Sequence, residues 1–299
     1  MSSREEPNIK AKSPIRRGDS MFRGFYTVAS GMLAQQRRTE MLTNNMANAN
    51  TPGFKADQSS LRAFPEMLMQ RFDELKVPTE KGLNLPSNSI VGPINTGVYM
   101  QEVMPKFIQG DIQETGQKTD LALVDILMPQ NQETGSNGSI FFTVQNAAGE
   151  TRYTRNGDFT LDGQGYLTTG SGHYVLDAEG NQIQLSSDQF TVDANGYLQG
   201  AAGETALLGI GYSDNPFQMV KEGDGLYRTE DGAVLGDARA EAGVEFNLQQ
   251  GFLERSNVDV SRTMTDMLSA YRAFEANQKV LQAYDKSMDK AANEVGRIG

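Results

Sequence analysis

Few side chains in this 299-residue chain are of the types that carry out acid–base or metal chemistry. Cysteine is absent, which excludes disulfides, thiolate metal sites and cysteine nucleophiles. The single histidine, His173, has no serine in a nucleophile-elbow spacing, so we interpret it as a strand or turn residue. The sequence therefore predicts no catalytic residue, no cofactor and no metal site, and it argues against an enzyme.

Two short acidic loops, Asp162–Gly165 and Asp193–Gly196, resemble parts of calcium-binding loops. An EF-hand loop needs a glutamate eleven residues after its first aspartate, and the first loop has His173 there. The second loop has Glu204 at that position but lacks the intermediate ligands and the flanking helices. Both loops lie in a short repeat whose pattern predicts strand, glycine turn and strand, so we interpret them as turns.

The charge of the chain limits its partners. It has 27 basic and 38 acidic residues, a net charge of −11. A surface this acidic repels phosphate, so we expect neither nucleic acid nor anionic membrane as a partner. No apolar run reaches the roughly 18 residues of a membrane span, and we expect no membrane insertion. Residues 1–20 lack the apolar segment of a signal peptide and are interpreted as a disordered extension or sequence added for expression.

Hydrophobic periodicity divides the rest of the chain into four segments. Residues 21–56 predict an N-terminal helix that ends at an Asn-rich, Pro-Gly turn. Residues 57–107 are interpreted as a linker, with Phe64–Leu75 as a candidate short amphipathic helix. Residues 108–248 alternate short strands with Gly, Asp and Asn turns, and 249–299 predict a C-terminal helix. The expected fold is α+β, with an antiparallel β-domain inserted between two helices that pack in a coiled-coil-like manner.

The C-terminal helix carries the strongest pattern in the sequence. Apolar residues recur at every seventh position, namely Val260, Met267, Phe274, Leu281, Met288 and Val295. We name this row the seam, and Met264 and Tyr271 occupy its predicted companion position. The residues Ser256, Asn257 and Asp259 are candidate N-caps of the helix. So narrow an apolar stripe needs helix partners, either in an intramolecular helical hairpin or in a tube of many subunits.

Several motifs in this chain closely resemble those of flagellar basal-body rod and hook proteins. In chain order they are Thr43–Lys55 (TNNMANANTPGFK), Thr119–Leu123 (TDLAL), Tyr153–Phe159 (YTRNGDF), Gln250–Val260 (QGFLERSNVDV) and Tyr271–Val280 (YRAFEANQKV). The resemblance covers about residues 21–299, and segments 31–38 and 62–67 look like the Gram-positive, Bacillus-type branch. Residues 124–140 depart from the family's short G-x-G turn, which leaves the first β-hairpin and the exact subtype open.

The resemblance implies a structural part of the flagellar rod. Such proteins are exported by the flagellar type III apparatus without a cleaved signal, and they polymerise outside the cytoplasmic membrane into a tube that transmits torque to the hook. The implied partners are further copies, other rod and hook axial proteins and the export apparatus, with the β-domain meeting neighbours or cell-wall material. The alternative is a hook–rod junction or adaptor protein with the same helices and limited polymerisation. A secreted hydrolase is disfavoured because no catalytic constellation is found.

The resemblance also implies which residues form the assembly interface. Both helices and the Asn-rich turn contribute, through Phe22, Phe25, Met32, Leu33, Asn44, Asn45, Asn48, Asn50, Val260, Met267, Tyr271, Phe274, Leu281, Met288 and Val295. For the asparagines, a plain helix-terminating turn is the alternative, in which their amides bond within the chain.

Overall fold

The computed structural model describes residues 18–77, 83–132 and 135–293. It contains a long helix at each end, α1 (Gly18–Ala47) and α2 (Val260–Asn293), with antiparallel strands between them. This confirms the predicted α+β class, whereas coiled-coil packing of the helices stays a prediction. The chain divides into two compact units. Unit 1 contains Ser60–Gln101 with the outer parts of both helices, and unit 2 contains Glu40–Ser59 and Glu102–Met267.

The strands are short and follow one another closely. They are β1 (Asp57–Gln58), β2 (Leu61–Ala63), β3 (Met67–Val77), β4 (Leu83–Ile94), β5 (Val98–Met100), β6 (Met104–Pro105), β7 (Ile112–Glu114), β8 (Leu121–Leu127), β9 (Ser139–Gln145), β10 (Thr151–Thr154), β11 (Phe159–Leu161), β12 (Leu167–Thr169), β13 (Tyr174–Val175), β14 (Thr191–Val192), β15 (Tyr197–Gln199), β16 (Thr205–Leu207), β17 (Ile210–Ser213), β18 (Met219–Lys221), β19 (Leu226–Thr229), β20 (Gly236–Asp237), β21 (Glu245–Gln250) and β22 (Phe252–Glu254). Short 3₁₀ turns at Pro216–Gln218 and Gly223–Gly225 flank β18.

α1 ends at the predicted Asn-rich turn, whereas α2 begins only at Val260, because residues 252–254 of the predicted C-terminal helical segment form β22. After Ala47 the backbone leaves α1 in a turn, with the Asn48 N–H donating to the Asn44 carbonyl at 3.1 Å. Before α2, the carboxylate of Asp259 accepts the N–H of Arg262 at 3.0 Å. Asp259 is therefore the N-cap among the three candidates, because it satisfies a backbone donor that the first turn leaves unpaired.

In unit 1 the two helices run antiparallel, side by side. Gly24 lies against the ring of Tyr284, and a Cβ on Gly31 would lie 3.1 Å from Nδ2 of Asn277. The same register continues in unit 2, where Thr43 Oγ1 donates to Met267 Sδ at 3.7 Å. The chain therefore pairs its own helices, as in the intramolecular alternative.

The rest of unit 1 consists of paired strands, and the helix predicted over Phe64–Leu75 is wrong. β3 and β4 form a long two-stranded hairpin, and β2 pairs with β5. A short apolar run fits helical and extended spacing equally well, and only its pairing partner decides between them. That partner, β4, contains Pro86 and Pro93 and therefore resembles a loop in sequence. It tolerates them because, among the described residues, it pairs with β3 alone.

Unit 2 contains the antiparallel β-region that the middle of the sequence predicts. Its main sheet has the order β11-β12-β13-β9-β10-β19-β18, with β17 also paired to β9 and β20 to β17. Smaller sheets are β14-β15-β16, β8-β21, β7-β22 and β1-β6. The core is apolar, and its fully buried members include Leu121, Ile140, Phe142, Leu167 and Phe190. Burial on this scale is the main source of folding free energy.

Among the described residues, β8 and β9, at the two ends of the segment that departs from the family pattern, are not paired with each other. β8 pairs with β21, almost at the other end of unit 2, rather than with β9. The backbone then forms an isolated bridge between Gln130 and Asn137 before β9 begins. The open question about the first β-hairpin is thus answered by a long-range strand pair.

The two acidic loops are turns, as predicted. Oδ1 of Asp162 accepts the backbone N–H groups of Gln164 and Tyr166, both at 2.8 Å. Asp193 makes the corresponding bonds in the second loop, at 3.0 and 2.8 Å. Gly165 and Gly196 have φ of +86° and +85°, which is why glycine occupies both positions.

Candidate functional site

Three of the family motifs meet at one place in unit 2. The N–H of Gly53 donates to the carbonyl of Glu254 at 2.8 Å. At Gly53 φ is +67°, and a Cβ there would collide with the backbone of Arg155. Only glycine allows this approach, so the segment that follows α1 packs directly on the YTR and LERSN motifs.

Four charged side chains from these motifs and from β8 form a buried ion cluster, which we name the junction cluster. Its members are Lys55, Asp125, Arg155 and Glu254. Lys55 Nζ lies 2.5 Å from Glu254 Oε1, Arg155 Nε lies 3.0 Å from Glu254 Oε2, and Arg155 Nη1 lies 3.0 Å from Asp125 Oδ1. Lys55, Arg155 and Glu254 are each no more than 2% exposed. Two positive and two negative charges are thereby neutralised inside the protein.

The junction cluster also satisfies its remaining hydrogen-bond groups. Arg155 donates to the carbonyls of Ile140 at 2.8 Å and Leu123 at 3.4 Å. Lys55 donates to the carbonyl of Ile108 at 3.0 Å, and Glu254 accepts the N–H of Gly110 at 2.8 Å. Buried charges are tolerated when they are paired and hydrogen-bonded in this way, and they then favour one arrangement over its alternatives. The cluster therefore fixes how the segments beside the two helices meet.

Burial and charge act in opposite directions on the pKa values of the cluster. Burial lowers the pKa of Lys55 to about 8, and the nearby Arg155 adds to that decrease, against the attraction of Glu254. Burial alone would raise the pKa of Glu254, but the charges of Arg155 and Lys55 outweigh it, and the pKa is lowered. Glu254 is therefore ionised at neutral pH.

Asn257 holds three backbone segments together beside the cluster. Its Oδ1 accepts the N–H of Ala56 at 2.7 Å, and its Nδ2 donates to the carbonyls of Lys106 and Ile108 at 2.8 and 2.9 Å. Its own N–H donates to the carbonyl of Phe54 at 3.3 Å. The side chain that was a candidate helix cap thus joins the chain after α1 to the chain before α2.

The Asn-rich turn uses part of its amides within the chain. Asn45 is 3% exposed, and its amide bonds both the N–H and the carbonyl of Asp57 at 2.8 Å. Asn48 donates to the carbonyl of Asn44 at 2.9 Å, as expected for a helix-terminating turn. Asn45 is thus unsuited to an intersubunit contact, because its side chain is buried. Asn44 and Asn50 are exposed.

Along α2, the seam and the predicted companion position differ in exposure. Met267, Phe274, Leu281 and Met288 are half-buried, on the side of the helix that carries buried Ala270. A second apolar row, which we name the outer stripe, is about half exposed. It shares Val260 with the seam and continues with Met264, Leu268 and Tyr271. Met264 and Tyr271 are thus more exposed than the seam residues beside them, and Asn277 and Tyr284 are the α2 side chains that lie against glycines of α1.

The remaining interface candidates lie on α1 or beyond α2. Phe25 and Met32 are half-buried, and Leu33 is 55% exposed. Phe22 lies within α1, but its side chain is outside the described residues, and so is Val295.

Sequence reasoning missed the junction cluster, although every member stands in a conspicuous place. Lys55 and Arg155 each follow buried residues within a motif, and Asp125 interrupts the apolar run of β8. An isolated charge among buried apolar residues is the available signal, because such a charge must find a partner. Within the described parts of the chain, no group of acidic residues and histidine is placed to hold a metal ion.

Comparison with known proteins identifies the family. Three family models match: Flagella basal body rod protein at residues 25–55, Flagellar hook protein FlgE/F/G D1 domain at 137–200, and Flagellar basal body rod FlgEFG protein C-terminal at 249–294. The flagellar hook-basal body complex protein FlhO of Bacillus subtilis is 45% identical over 278 residues, which cover 93% of this chain and 100% of FlhO. The chain belongs to the flagellar hook-basal body and rod protein family.

Other relatives agree with this assignment. FlhP of Bacillus subtilis is 27% identical, over 90% of this chain and 97% of its own length, and the rod protein FlgG of that organism is 28% identical over 91% and 99%. The Bacillus-type hook-basal body resemblance is thereby confirmed. Members of the family are structural parts of the flagellar basal body. None of the helices in the described residues has the length and apolar character of a membrane span.

Proposed function

We propose that this chain is a subunit of the flagellar rod whose terminal helices pack against those of neighbouring subunits in a tube. The observation that carries the proposal is the outer stripe, where four large apolar side chains on one side of α2 remain about half exposed although Asn277 and Tyr284 of the same helix contact α1. An exposed apolar row of this kind marks an interaction surface.

The outer stripe offers enough apolar area to favour assembly. Complete burial of a large aliphatic or aromatic side chain contributes about 1.5–3 kcal/mol, and half of that remains to be gained at each of the four residues. The sum is a few kcal/mol per subunit before the cost of ordering is subtracted. A contact repeated around and along a tube multiplies this gain.

The junction cluster has a complementary role in the proposal. A helix can present its outer stripe to neighbours in a constant direction only if its base is fixed. Glu254 and Asn257 precede α2 by a few residues and are bonded to the segment that follows α1. We infer that the cluster sets the direction in which both helices leave the β-region.

The other parts of the proposal follow from the family. Residues 21–56 and 249–299 form the tube wall, with 57–107 as a connecting segment and 108–248 on its outside. Export by the flagellar type III apparatus delivers the subunit, which then joins other axial proteins and transmits torque to the hook. The second candidate is a hook–rod junction or adaptor protein. The 45% identity to a protein named for the hook-basal body complex as a whole favours keeping it.

The outer stripe can be tested with a matched pair of substitutions on α2. Tyr271→Asp places a charge in the stripe, whereas Ser269→Asp places the same charge on the opposite, exposed side of the helix. We expect Tyr271→Asp to abolish incorporation into isolated basal bodies and to leave the thermal unfolding of the β-region unchanged. Normal incorporation and motility of Tyr271→Asp, or an equal loss in both variants, would contradict the proposed interface.

Deletion of the gene distinguishes the two candidates. Electron microscopy of basal bodies from the deleted strain should show absent or truncated rods if the chain is a rod subunit, with growth stopping at its position. Complete, motile flagella would instead favour the adaptor role.

A further inference from the structure

A groove in unit 2 lies along the last strand of the main sheet. β18 pairs with β19 on one side and ends the sheet order on the other. The groove runs between this edge and the segment that contains β6, with a volume of about 430 Å³. It continues into a second cavity of about 350 Å³, and Gln218, Met219 and Glu230 line both.

The groove combines apolar contact surface with negative charge. Val103 and Phe217 line it and are 42% and 39% exposed. Besides Asp57, four carboxylates line the two cavities, those of Glu102, Asp214, Glu230 and Asp231. None of the four lies within 4 Å of a basic side chain among the residues that the structure describes. Lys221 is also present, but Asp57 already pairs with it at 3.0 Å.

A third feature of the groove is an acceptor without a donor. Oδ1 of Asn215, in the second cavity, is buried and has no hydrogen-bond partner within the described part of the chain. These features together fit one kind of ligand, an extended peptide segment. Such a segment brings N–H donors for the strand edge and the amide oxygen, a positive charge for the unpaired carboxylates, and apolar side chains for the apolar lining.

The chain itself contains such a segment, and its charge distribution favours a second copy as the source. Residues 102–259 hold 24 acidic and 8 basic residues, a net charge of −16, whereas the other residues hold 14 acidic and 19 basic, a net charge of +5. Among the latter, β2 and the next residue, Leu61–Phe64 (LRAF), are exposed along their whole length. Among the described residues β2 pairs with β5 alone.

We propose that the groove beside β18 binds the Leu61–Phe64 segment of a second copy of this chain. Arg62 supplies the positive charge that faces Glu102 and Glu230, and Leu61 and Phe64 supply apolar contacts for Val103 and Phe217. The contact is heterologous, since groove and segment are different surfaces. Heterologous contacts generate closed rings when the rotation between copies closes and open helical polymers when it does not. It rests on the proposed rod function and names a contact additional to the helices.

Cysteine cross-linking tests the contact directly, because the natural chain has no cysteine. Ala63→Cys and Gln218→Cys are introduced into separate copies that are coexpressed in the flagellated bacterium, and isolated basal bodies are oxidised. We expect a disulfide-linked product of two chains that requires both variants and is absent when either is expressed alone. Replacing Gln218→Cys by Ser269→Cys is the control, and it should give no product.

A charge exchange tests the specificity. In the cross-linking strain, Arg62→Glu or Glu230→Arg alone should lower the yield at least tenfold, and the two together should restore it. Intact basal bodies that contain both cysteine variants but give no cross-link, or a yield that charge reversal does not change, would overturn the groove contact and leave the rod function standing. The Tyr271→Asp variant tests the helix packing alone, because Tyr271 lies on α2 and the groove does not. The groove contact and the helix packing can therefore fail independently.

Discussion

The β-region of unit 2 and the outer stripe of α2 use apolar side chains in opposite ways. In the β-region, Leu121, Phe142 and Phe190 are completely buried within the chain. On α2, Met264 and Tyr271 are 53% and 54% exposed, whereas Asn277 and Tyr284 lie against α1. The β-region therefore obtains its burial alone, whereas the outer stripe of α2 stays half exposed in the single chain. In the proposed assembly, one chain thus contains a part that is stable before assembly and a part that assembly stabilises.

The junction cluster lies in unit 2, a few residues before α2 begins, and it reverses the usual distribution of polarity. Charged groups are buried there, while large apolar groups a few residues further along α2 are exposed. A buried ion cluster contributes little net stability but strongly penalises incorrect arrangements. It is suited to fixing the position of a helix that has not yet found its partners.

The largest effect should follow from breaking the junction cluster. Arg155→Met removes the partner of Glu254 and Asp125 and leaves their charges buried, which should lower the free energy of unfolding by about 3–5 kcal/mol. Urea unfolding followed by circular dichroism measures the change. Arg228→Met is the control, since Arg228 is 41% exposed and its pair with Glu222 should contribute less than about 1 kcal/mol. Equal losses in the two variants would refute a special role for the cluster.

Limited proteolysis should show the contrast between the two parts directly. In the isolated subunit we expect cleavage within α2 at Arg272, Lys279 or Lys286 to be about a hundredfold faster than within the β-region, because exposed helices open with little loss of buried surface. The resistant fragment should lie within about residues 105–250, extended to Asn257 by the bonds of Asn257 and Glu254. An α2 that resists cleavage in a demonstrated monomer would contradict assembly-coupled stabilisation.

The free energy of unfolding should depend on pH through the protonation of Lys55. Its pKa is about 8 in the folded chain and 10.5 in the unfolded chain, so the unfolded chain binds more protons between these values. The free energy of unfolding should therefore rise with pH above about 8, by up to about 2 kcal/mol between pH 8 and 9.5. Chemical unfolding across this range, compared with Lys55→Met, isolates the contribution. Parallel curves for the two proteins would show that Lys55 is not responsible.

The smallest effect concerns the turns that close the β-region. Gly180 has φ of +88° and no atom within 4 Å of a built Cβ, so Gly180→Ala tests backbone conformation alone. We expect a loss of about 1 kcal/mol in the free energy of unfolding. Gly163→Ala, at a position with equal space and no positive φ, should change it by less than about 0.5 kcal/mol. Indistinguishable variants would show that the turns tolerate a side chain.

Much of this architecture follows from local sequence. The end of α1 at the Asn-rich turn, the presence of a cap among Ser256, Asn257 and Asp259, and the two glycine turns depend on residues within a few positions of one another, and the sequence predicts each of them. The β3–β4 hairpin was missed because the run Met67–Val77 has no decisive period and its partner contains prolines. Its extended state depends on pairing, which a local pattern cannot reveal.

The junction cluster was missed for a different reason. Lys55 and Glu254 are about two hundred residues apart, and Arg155 lies midway between them. Motif resemblance marked three of the four members but gave no indication that they touch. Likewise, the outer stripe could be identified only once the structure showed which side of α2 contacts α1 and which side stays exposed.

The bonds around Glu254 have a mechanical consequence. Gly110 donates to the Glu254 side chain, and the N–H of Arg255 donates to the carbonyl of Asp111 at 2.8 Å, so the chain enters and leaves the β-region at adjacent points. A pulling force carried by one helix can pass across these bonds to the other without stretching the polypeptide between residues 111 and 254. The β-region between residues 111 and 254 then carries none of this force, so it can stay folded while the helices are under tension.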